Sequence, residues 1–330
     1  MSNQIKWGII GTGTIAKKFA ADLKYVNGAV LTAVASRNQQ TADAFASVFQ
    51  IPKSYSSYKQ LAMDDEIDVV YIATPHVFHF ENTIMCLQNK KAVLCEKPFA
   101  INIKQVTAMI GAAREQNVFL MEGLWTKFLP HYKKVQDLIE QGTIGDVVAI
   151  QSNFGFTVTE RSSARFTEIS LGGGTLLDIG IYNIFLAMGI LGKPDSVSSF
   201  IKKTSNGIDE QCAVTFGYNS GAIAQLFSTF NANIPIEAQV FGTKGNLKIT
   251  HCFHDPSANI LLSENSGTDY KIIEVEKAKG SGFEYEAAHV TDCLLKGIKE
   301  SPVMSFQDSM DLIETLDTVR KITGIVYAED

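Results

Sequence analysis

The sequence IKWGIIGTGTIA at residues 5–16 decides the fold class. Residues 5–11 form an apolar run suited to a buried strand, and this run leads directly into the glycine-rich sequence G-x-G-x-x-A. The residues after the turn have apolar positions at the spacing of an amphipathic helix, namely Ile15, Phe19 and Leu23. A strand, a glycine turn and a helix in this order predict a dinucleotide-binding unit.

Each small residue of the turn has a physical role in that prediction. Gly11 permits the tight turn, Gly13 lets the backbone approach a pyrophosphate, and Ala16 allows close packing of the helix on the sheet. The helix N-terminus offers free N–H groups and the positive end of its dipole to phosphates. The predicted cofactor-binding residues of this turn are Gly11, Thr12, Gly13, Thr14 and Ile15.

The end of the second predicted strand, 29–35, indicates which nucleotide is preferred. NAD sites usually place an acid here for the adenosine ribose, but residues 29–41 contain no Asp or Glu. Ser36 and Arg37 instead suit a 2′-phosphate, since a hydroxyl and a guanidinium both bind phosphate oxygens. We therefore predict NADP, with NAD as a possible cofactor. The alternative for Arg37 is a solvated loop charge.

Further strands and helices alternate up to residue 121. Buried strands are predicted at 68–73, 91–95 and 118–121, with helices at 39–49 and 102–116. This alternation predicts a doubly wound parallel sheet, an α/β Rossmann domain over residues 1–122. The strand at 68–73 leads into four residues assigned to the cofactor wall: Thr74, Pro75, His76 and His79. His76 and His79 also suggest a metal pair, but no third ligand lies nearby in sequence, so a cofactor-wall role or plain packing is favoured.

The apolar strand 91–95 stops abruptly at Glu96-Lys97-Pro98. Ligands of open α/β sheets bind beyond the carboxyl ends of the strands, so Glu96 and Lys97 are placed where chemistry usually occurs. Pro98 fixes the backbone and favours an extended conformation at Lys97. The alternative is that both charges are only a solvated strand end.

After residue 122 the pattern changes to alternating strands. Residues 123–330 predict a substrate-binding and dimerisation domain of the α+β class, with a large, mainly antiparallel, open-faced sheet. Helices are expected at about 284–299 and 306–326, and the C-terminal helix is expected to pack back on the first domain. The free sheet face would meet solvent or a second subunit, which predicts a homodimer or higher homo-oligomer.

A second informative stretch runs from Gly172 to Tyr182, GGGTLLDIGIY. Its three glycines allow a close backbone approach before a helix begins. Asp178 and Tyr182 stand four residues apart and are expected to point the same way on that helix. The alternative is a surface carboxylate beside a core tyrosine.

Composition narrows the class of protein. Net charge is −6 and no basic run occurs, so neither nucleic acid nor an anionic membrane surface is expected as a partner. The longest apolar passage, 181–191, is too short to span a bilayer. The five cysteines are widely spaced and contain no C-x-x-C pair, which favours reduced thiols and a cytoplasmic location.

Four motifs together resemble the glucose-fructose oxidoreductase and inositol dehydrogenase family (Gfo/Idh/MocA). They are G-x-G-x-x-A at Gly11, A-T-P-H at Ala73, E-K-P at Glu96 and G-G-G-x-L-x-D-x-G-x-Y at Gly172. The resemblance covers essentially the whole chain. It is strongest to the branch of dimeric dihydrodiol dehydrogenases and NADP-dependent D-xylose dehydrogenases, in KAVLCEKP at 91–98, FLMEGLWTKFLP at 119–130 and GTKG at 242–245.

The resemblance implies an NADP-dependent dehydrogenase acting on CH–OH groups of a sugar, polyol or trans-dihydrodiol. It implies Lys97 and Tyr182 as the catalytic pair, Asp178 as an assisting residue, and Trp125 and Phe154 in the substrate pocket. Trp125 and Glu96 are also assigned to the cofactor site. All three residues of the catalytic set are assigned to substrate binding as well. Lys127 departs from the usual arginine, and Gly123 from a small alanine.

The residue types suit this chemistry. Alcohol oxidation needs a hydride acceptor and a base for the hydroxyl proton. Tyrosine alone is a weak base, but an ammonium about 4 Å from a phenolate stabilises it by on the order of 4 kcal/mol at an effective dielectric near 20. Lys97 would also stabilise the developing alkoxide. Aromatic pocket residues suit a sugar ring face or an arene diol equally, so the substrate stays open.

Other classes remain as alternatives. A non-catalytic NADP-binding sensor on the same fold would be free to lose Lys97 and Tyr182, so their presence favours an enzyme. A methyltransferase is disfavoured by Ser36-Arg37 and by the large second domain. His251, Cys252 and His254 lie close in sequence, but they lack the further ligands of a zinc site, so no metal is predicted.

Overall fold

The structure, a computed structural model, describes residues 4–159, 164–264 and 269–330. The chain divides into two compact units. The first comprises residues up to Phe128 together with Ala278–Met310, and the second comprises Leu129–Lys277 together with Asp311–Asp330.

The first unit is built on a six-stranded sheet in which every pairing is parallel. Its strands are β1 (Ile5–Ile10), β2 (Ala29–Ala35), β3 (Lys53–Tyr55), β4 (Val69–Ile72), β5 (Ala92–Glu96) and β6 (Leu120–Gly123). Its helices are α1 (Thr14–Asp22), α2 (Gln39–Phe49), α3 (Tyr58–Ala62), α4 (His79–Gln88), α5 (Ile103–Gln116) and α8 (Phe283–Leu295). This confirms the predicted doubly wound sheet.

The strand order β3-β2-β1-β4-β5-β6 positions the candidate site. The chain adds β2 and β3 on one side of β1 and then adds β4, β5 and β6 on the other side. A crevice therefore opens at the carboxyl ends of β1 and β4, where such sheets bind ligands. The residues of β4 are all buried, and β5 is buried up to Glu96, because helices cover both faces of a parallel sheet.

Two strands of this sheet differ from the prediction. β3 lies between the helix predicted at 39–49 and the strand predicted at 68–73, where no element was predicted; it forms a strand by pairing with β2. β6 begins at Leu120 rather than at residue 118. Short edge strands depend on their partner for hydrogen bonds, and the local sequence carries little signal for them.

The second unit contains an eight-stranded sheet in the order β14-β13-β12-β11-β7-β10-β9-β8. The strands are β7 (Val147–Gly155), β8 (Ser196–Lys203), β9 (Asp209–Gly217), β10 (Ile223–Thr229), β11 (Glu237–Gly242), β12 (Gly245–Thr250), β13 (Asn259–Glu264) and β14 (Lys271–Ile273). Among the described residues of this sheet, β7 pairs with β10 in parallel and the other pairings are antiparallel, which confirms the predicted mainly antiparallel sheet. Its helices include α6 (Pro130–Glu140) and α7 (Ile181–Leu191). α9 (Phe306–Thr323) includes residues of both units.

The two faces of this sheet differ in character. Alternate residues of β12 are buried, and α7 packs against β7 and β10 on the buried face. The other face exposes large apolar side chains, among them Phe200, which is 81% exposed, and Ile223. The open face expected from the sequence is therefore present.

The segment Ile169–Leu191 has the length and apolar composition of a candidate membrane span. Within the described residues it is the one segment that does, and 78% of its most apolar window is buried inside the protein. Such burial is typical of a core helix.

Candidate active site

The glycine turn between β1 and α1 has the shape that a pyrophosphate requires. Gly11 adopts a φ of +103°, and a Cβ there would lie 2.6 Å from the carbonyl oxygen of Ala73. A Cβ on Gly13 would meet nothing within 4 Å, so space is open above the turn. The first intrahelical bond runs from Lys17 N to Gly13 O, which leaves the preceding N–H groups available. The residues therefore fit a bound dinucleotide.

The end of β2 borders a cavity of about 450 Å³. It is lined by Arg37, Ser56, Ser57, Tyr58, Lys59, Glu81, Asn82 and Met85. Burial raises the pKa of the Tyr58 hydroxyl, and the nearby positive charge of Arg37 opposes this rise. The adjacent Ser36 is buried, whereas Arg37 is exposed. Lys59 and Tyr58 were not predicted as site residues, because they reach this place only through the pairing of β2 with β3.

The residues after β4 are tied to the residues after β5. His79 has no exposed surface, and its ring nitrogens lie 2.8 Å from the carbonyl oxygen of Pro98 and 2.9 Å from that of Thr74. Burial lowers the pKa of His79, and the hydrogen bonds to the two carbonyl oxygens oppose this shift. The amide of Asn82 donates to the Thr74 hydroxyl at 3.3 Å. His79, assigned from the sequence to the cofactor wall, thus holds two strand ends together.

His76 is also buried, with its ring centroid 5.8 Å from that of His79. Among the described residues, no group of three or more His, Cys, Asp or Glu side chains is arranged to hold a metal ion.

The E-K-P sequence lies at the carboxyl end of β5, beside β4. The Lys97-Pro98 peptide bond is cis. The Tyr71 hydroxyl donates to Glu96 Oε1, and the Lys97 backbone N–H donates to Glu96 Oε2 at 3.3 Å. Lys97 is partly exposed at the end of the sheet.

Trp125 follows β6 in a short 3₁₀ turn, and it is 8% exposed. Its ring stacks on Phe283 with centroids 4.6 Å apart. Lys127, where the resemblance leads us to expect arginine, forms an ion pair with Asp308 at 3.0 Å. A Cβ on Gly123 would lie 3.2 Å from the carbonyl oxygen of Cys95, a tight but not forbidden approach.

In the second unit, Gly173 and Gly174 lie at two places where the backbone has no room for a side chain. A Cβ on Gly173 would lie 2.9 Å from the carbonyl oxygens of Phe166 and Glu168. Gly174 has a φ of +123°, and a Cβ there would lie 2.2 Å from Asp209 Oδ1. Asp209 Oδ2 accepts hydrogen bonds from the Thr175 hydroxyl at 2.6 Å and from Leu176 N at 2.7 Å. This buried carboxylate fixes the start of the following helix.

That helix differs from the expected regular α-helix. Leu176–Gly180 is a π-helix, and α7 begins only at Ile181. Asp178 and Tyr182 therefore do not share the simple one-turn relation of an α-helix. π-Helical turns are rare and occur often at functional sites.

Asp178 is paired with a residue that the sequence analysis did not identify. The Arg165 guanidinium donates from Nη1 to Asp178 Oδ1 at 2.7 Å, and the Asp178 side chain is 5% exposed. The same guanidinium lies over the Phe166 ring, 4.0 Å from its centroid. Arg165 and Asp178 are 13 positions apart in sequence, so no helical or strand spacing indicated the pair.

Tyr182 lies in a cluster of rings. Its centroid is 5.9 Å from that of Phe154 and 4.8 Å from that of His254, and Phe154 and His254 are 4.4 Å apart. His254 follows two residues with left-handed backbone, His251 at φ 55° and Cys252 at φ 58°. His254 was considered above only as a metal ligand. The structure instead places it against the predicted catalytic tyrosine.

The predicted catalytic and substrate-binding residues are divided between the units. Lys97 and Trp125 belong to the first unit, and Phe154, Asp178 and Tyr182 belong to the second. The predicted cofactor residues all belong to the first unit.

Comparison with known proteins identifies the family. Residues 5–124 match the family model described as an oxidoreductase family with an NAD-binding Rossmann fold, and residues 132–248 match the GFO/IDH/MocA C-terminal domain. The chain belongs to the GFO/IDH/MocA oxidoreductase family. The resemblance drawn from the four motifs is confirmed, as are the predictions of an oxidoreductase and of a nicotinamide dinucleotide cofactor.

Members of this family with known names match over the full length of the chain. Trans-1,2-dihydrobenzene-1,2-diol dehydrogenase of Xenopus laevis is 40% identical over 330 residues, which cover 98% of this chain and 99% of the relative. The protein of that name from Mus musculus is 37% identical and covers 99% of both chains.

Two solved structures share the fold. One is a 3-ketoreductase from Actinomadura kijaniata in complex with NADP and TDP-benzene, with a TM-score of 0.87, 24% identity and coverage of 97% of this chain and 98% of that chain. The other is an aldose-aldose oxidoreductase from Caulobacter crescentus complexed with glycerol, with a TM-score of 0.88, 22% identity and the same coverage.

Proposed function

We propose that this family member is an NADP-dependent dehydrogenase that oxidises a CH–OH group of a trans-dihydrodiol, sugar or polyol. The observation that carries the proposal is the 40% identity, over 98% of the chain, to a protein named for trans-dihydrodiol oxidation. Lys97 at the end of β5 and Tyr182 at the start of α7 supply the residue types that this reaction needs.

The preference for NADP rests on the cavity beside Arg37. Arg37 and Lys59 both line it, and two cations favour a 2′-phosphate over the bare ribose of NAD. Ser36 and the hydroxyl groups of Ser56 and Ser57 add donors around the same place. NADP, when bound, supplies the acceptor for the hydride that leaves the carbinol carbon.

The proposed catalytic pair divides the work between a base and an electrostatic stabiliser. The Tyr182 hydroxyl takes the proton of the substrate hydroxyl, and the Lys97 ammonium stabilises the phenolate and the developing alkoxide. The His254 and Phe154 rings restrain the Tyr182 ring, which keeps its hydroxyl in one direction.

Asp178 assists as an orienting acceptor. Arg165 holds one of its oxygens at 2.7 Å, and Asp178 can accept a hydrogen bond from a second hydroxyl of a diol or sugar. Trp125 and Phe154 offer ring faces, which suit a sugar face or an arene diol.

We also propose that two copies of the chain associate through the open face of the eight-stranded sheet. The exposed face carries Phe200 and Ile223, and a hydrogen bond between Gln151 and Gln225 at 3.0 Å orders its centre. A face with exposed aromatic and aliphatic groups is stabilised when a second copy covers it. The proposed setting is the cytoplasm, with no nucleic-acid or membrane partner; the five cysteines are all free thiols.

The experiment that tests this function is an initial-rate assay of NADPH formation by the purified protein. NADP⁺ or NAD⁺ is combined with trans-dihydrodiols, D-xylose and other aldoses, and inositols. Activity on a diol or sugar with NADP⁺ supports the proposal. Tight NADPH binding, seen by fluorescence, with no turnover on any of these substrates would instead support the alternative of a cofactor sensor.

A further inference from the structure

Glu286 is a buried carboxyl group that the proposed mechanism does not use. It lies in the first turns of α8 and has no exposed surface. Within the described residues, neither of its carboxylate oxygens has a hydrogen-bond partner. An ionised carboxylate in such a place is strongly disfavoured, since it loses its hydration without gaining a partner.

The surroundings of Glu286 belong to the E-K-P strand end. Phe283, one turn earlier on α8, has its ring 6.3 Å from Phe19, and Phe19 stacks on Tyr71 with centroids 3.8 Å apart. The Tyr71 hydroxyl donates to Glu96, the residue before Lys97. Burial raises the pKa of Glu286 well above its usual range, and the negative charge of Glu96 raises it further.

A neighbouring glutamate on the same helix shows the opposite behaviour. Glu284 accepts hydrogen bonds from the backbone N–H groups of Gly280 and Gly282, both at 2.8 Å. Although burial opposes it, these N–H groups lower the pKa of Glu284. Two glutamates two positions apart therefore differ because one has donors and the other has none.

We propose that Glu286 stays protonated at neutral pH and is a positioning residue that keeps a further, unpaired negative charge away from the E-K-P strand end, where Glu96 lies beside Lys97. The role rests on the proposed function of Lys97. When Glu286 loses its proton, a further negative charge appears at this strand end. The Lys97 ammonium is then drawn to the carboxylates, which weakens its stabilisation of the tyrosine phenolate and the alkoxide.

The negative charge of Glu96 acts on Glu286, and further titratable or charged groups lie on the elements of the same unit. They are Tyr71 on β4, Glu96 and Lys97 at the end of β5, Glu122 on β6, and Asp22 with Glu284 at the start of α8. Glu122 is also fully buried, and burial raises its pKa to about 7, with Glu96 contributing. The strand end thus contains three carboxyl groups in one low-dielectric region.

The test is infrared spectroscopy of the wild-type protein, Glu286→Gln and Glu284→Gln. The carbonyl stretch of a protonated carboxyl group is distinct from the carboxylate bands. The wild-type minus Glu286→Gln difference spectrum at neutral pH should contain this band, and the wild-type minus Glu284→Gln spectrum should not. Asp209, in the other unit, contributes equally to all three proteins and cancels. Glu122, whose pKa burial raises to about 7, is removed by recording the same three spectra on a Glu122→Gln background. The native protein and Glu284→Gln should both lose this band at alkaline pH, whereas Glu286→Gln has no such band to lose.

The positioning role is read from the pH profile. The ratio of kcat/KM at pH 9 to that at pH 7 should be at least about threefold higher in Glu286→Gln than in wild type, since glutamine cannot ionise. A neutral-pH difference spectrum without the band would overturn the protonation. If the band of protonated Glu286 is present at neutral pH and is lost in Glu286→Gln, but the pH profile of kcat/KM is the same in both proteins, the positioning role is overturned. The infrared spectra do not require turnover. A protein that shows the Glu286 band but oxidises no substrate would therefore contradict the proposed function and not the protonation of Glu286.

Discussion

Arg165 binds and orients the carboxylate of Asp178, a predicted site residue. It donates to Asp178 at 2.7 Å, and its own side chain is 40% exposed. We expect Arg165→Met to lower kcat/KM about tenfold, because a charge-assisted hydrogen bond contributes about 1.5–3 kcal/mol and partial exposure reduces this. Arg165→Lys should restore part of the loss. The measurement is steady-state kinetics with NADP⁺.

The control is Arg114→Met, which removes a more exposed arginine whose ion pair with Glu300 spans 4.0 Å. It should leave kcat/KM within about twofold of wild type. Equal rates for Arg165→Met and wild type would show that Asp178 needs no such partner.

Arg37 carries the prediction of cofactor preference. Arg37→Ala should weaken NADPH binding by about 10- to 100-fold, because one charge-assisted contact with the 2′-phosphate is lost. Binding of NADH, which lacks that phosphate, should change much less and serves as the internal control. Fluorescence titration measures both. A parallel loss for the two nucleotides would contradict a 2′-phosphate contact.

At the residue scale, the sequence indicated groups whose partners are close along the chain. The glycines of the first turn were read from their spacing, and the predicted motif at Lys97 indeed ends a buried strand. The roles of Arg165, His254 and Glu286 were missed. Arg165 binds Asp178, the His254 ring lies against Tyr182, and the charge of Glu96 acts on Glu286, and none of these pairs follows a local sequence pattern. Such pairings arise from tertiary packing and leave no periodic pattern.

At the element scale, the π-helix Leu176–Gly180 starts where Thr175 and Leu176 donate to one buried carboxyl group, that of Asp209. Burial raises the pKa of Asp209 from 3.8 to about 6, while hydrogen bonds from Thr175 and Leu176 oppose the rise. The folded state therefore holds this proton more tightly than the unfolded state. The resulting stabilisation is complete below about pH 4 and is lost as pH rises through about 6.

We expect this residue alone to lower the free energy of unfolding by about 3 kcal/mol between pH 4 and pH 7, since one pKa unit corresponds to about 1.4 kcal/mol. Asp209→Asn should flatten that part of the profile measured by urea unfolding. Asp195→Asn, at an exposed aspartate of the same unit, should keep it. An unchanged slope in Asp209→Asn would contradict a raised pKa at this position.

Elements with long periodic patterns were predicted well, and short or tertiary-dependent elements were not. α2 was expected at 39–49 and occurs there, and β2 likewise matches 29–35. The expected regular helix through Asp178 is instead a π-helix, and Asp209 binds Thr175 and Leu176 at its start. Propensity alone does not contain that contact.

At the scale of the whole molecule, the open sheet face carries the prediction of self-association. Phe200 is 81% exposed, and charge at this position would be costly to bury against a second copy. We expect Phe200→Asp to convert a dimer into a monomer in light scattering. Val48→Asp, at a residue that is 73% exposed on α2 of the other unit, should remain dimeric. A Phe200→Asp dimer would place the interface elsewhere.

The class of each domain was predictable at this scale, but the order of strands was not. Alternating burial indicated an antiparallel sheet with one open face. The parallel pairing of β7 with β10 joins segments about 70 residues apart, which no local pattern specifies. The first unit also recruits α8 from residues 283–295, far beyond the expected boundary at 122. The boundaries at 122 and 123 remain predictions.

The central claim is that Tyr182, acting with Lys97, removes the proton during hydride transfer to NADP. The most direct test compares Tyr182→Phe with wild type, measuring turnover by NADPH formation and cofactor binding by NADPH fluorescence. The account predicts a loss of about 100-fold or more in kcat, because general-base catalysis contributes about 10²–10⁴-fold, with NADPH affinity retained. Turnover within a few-fold of wild type would contradict it.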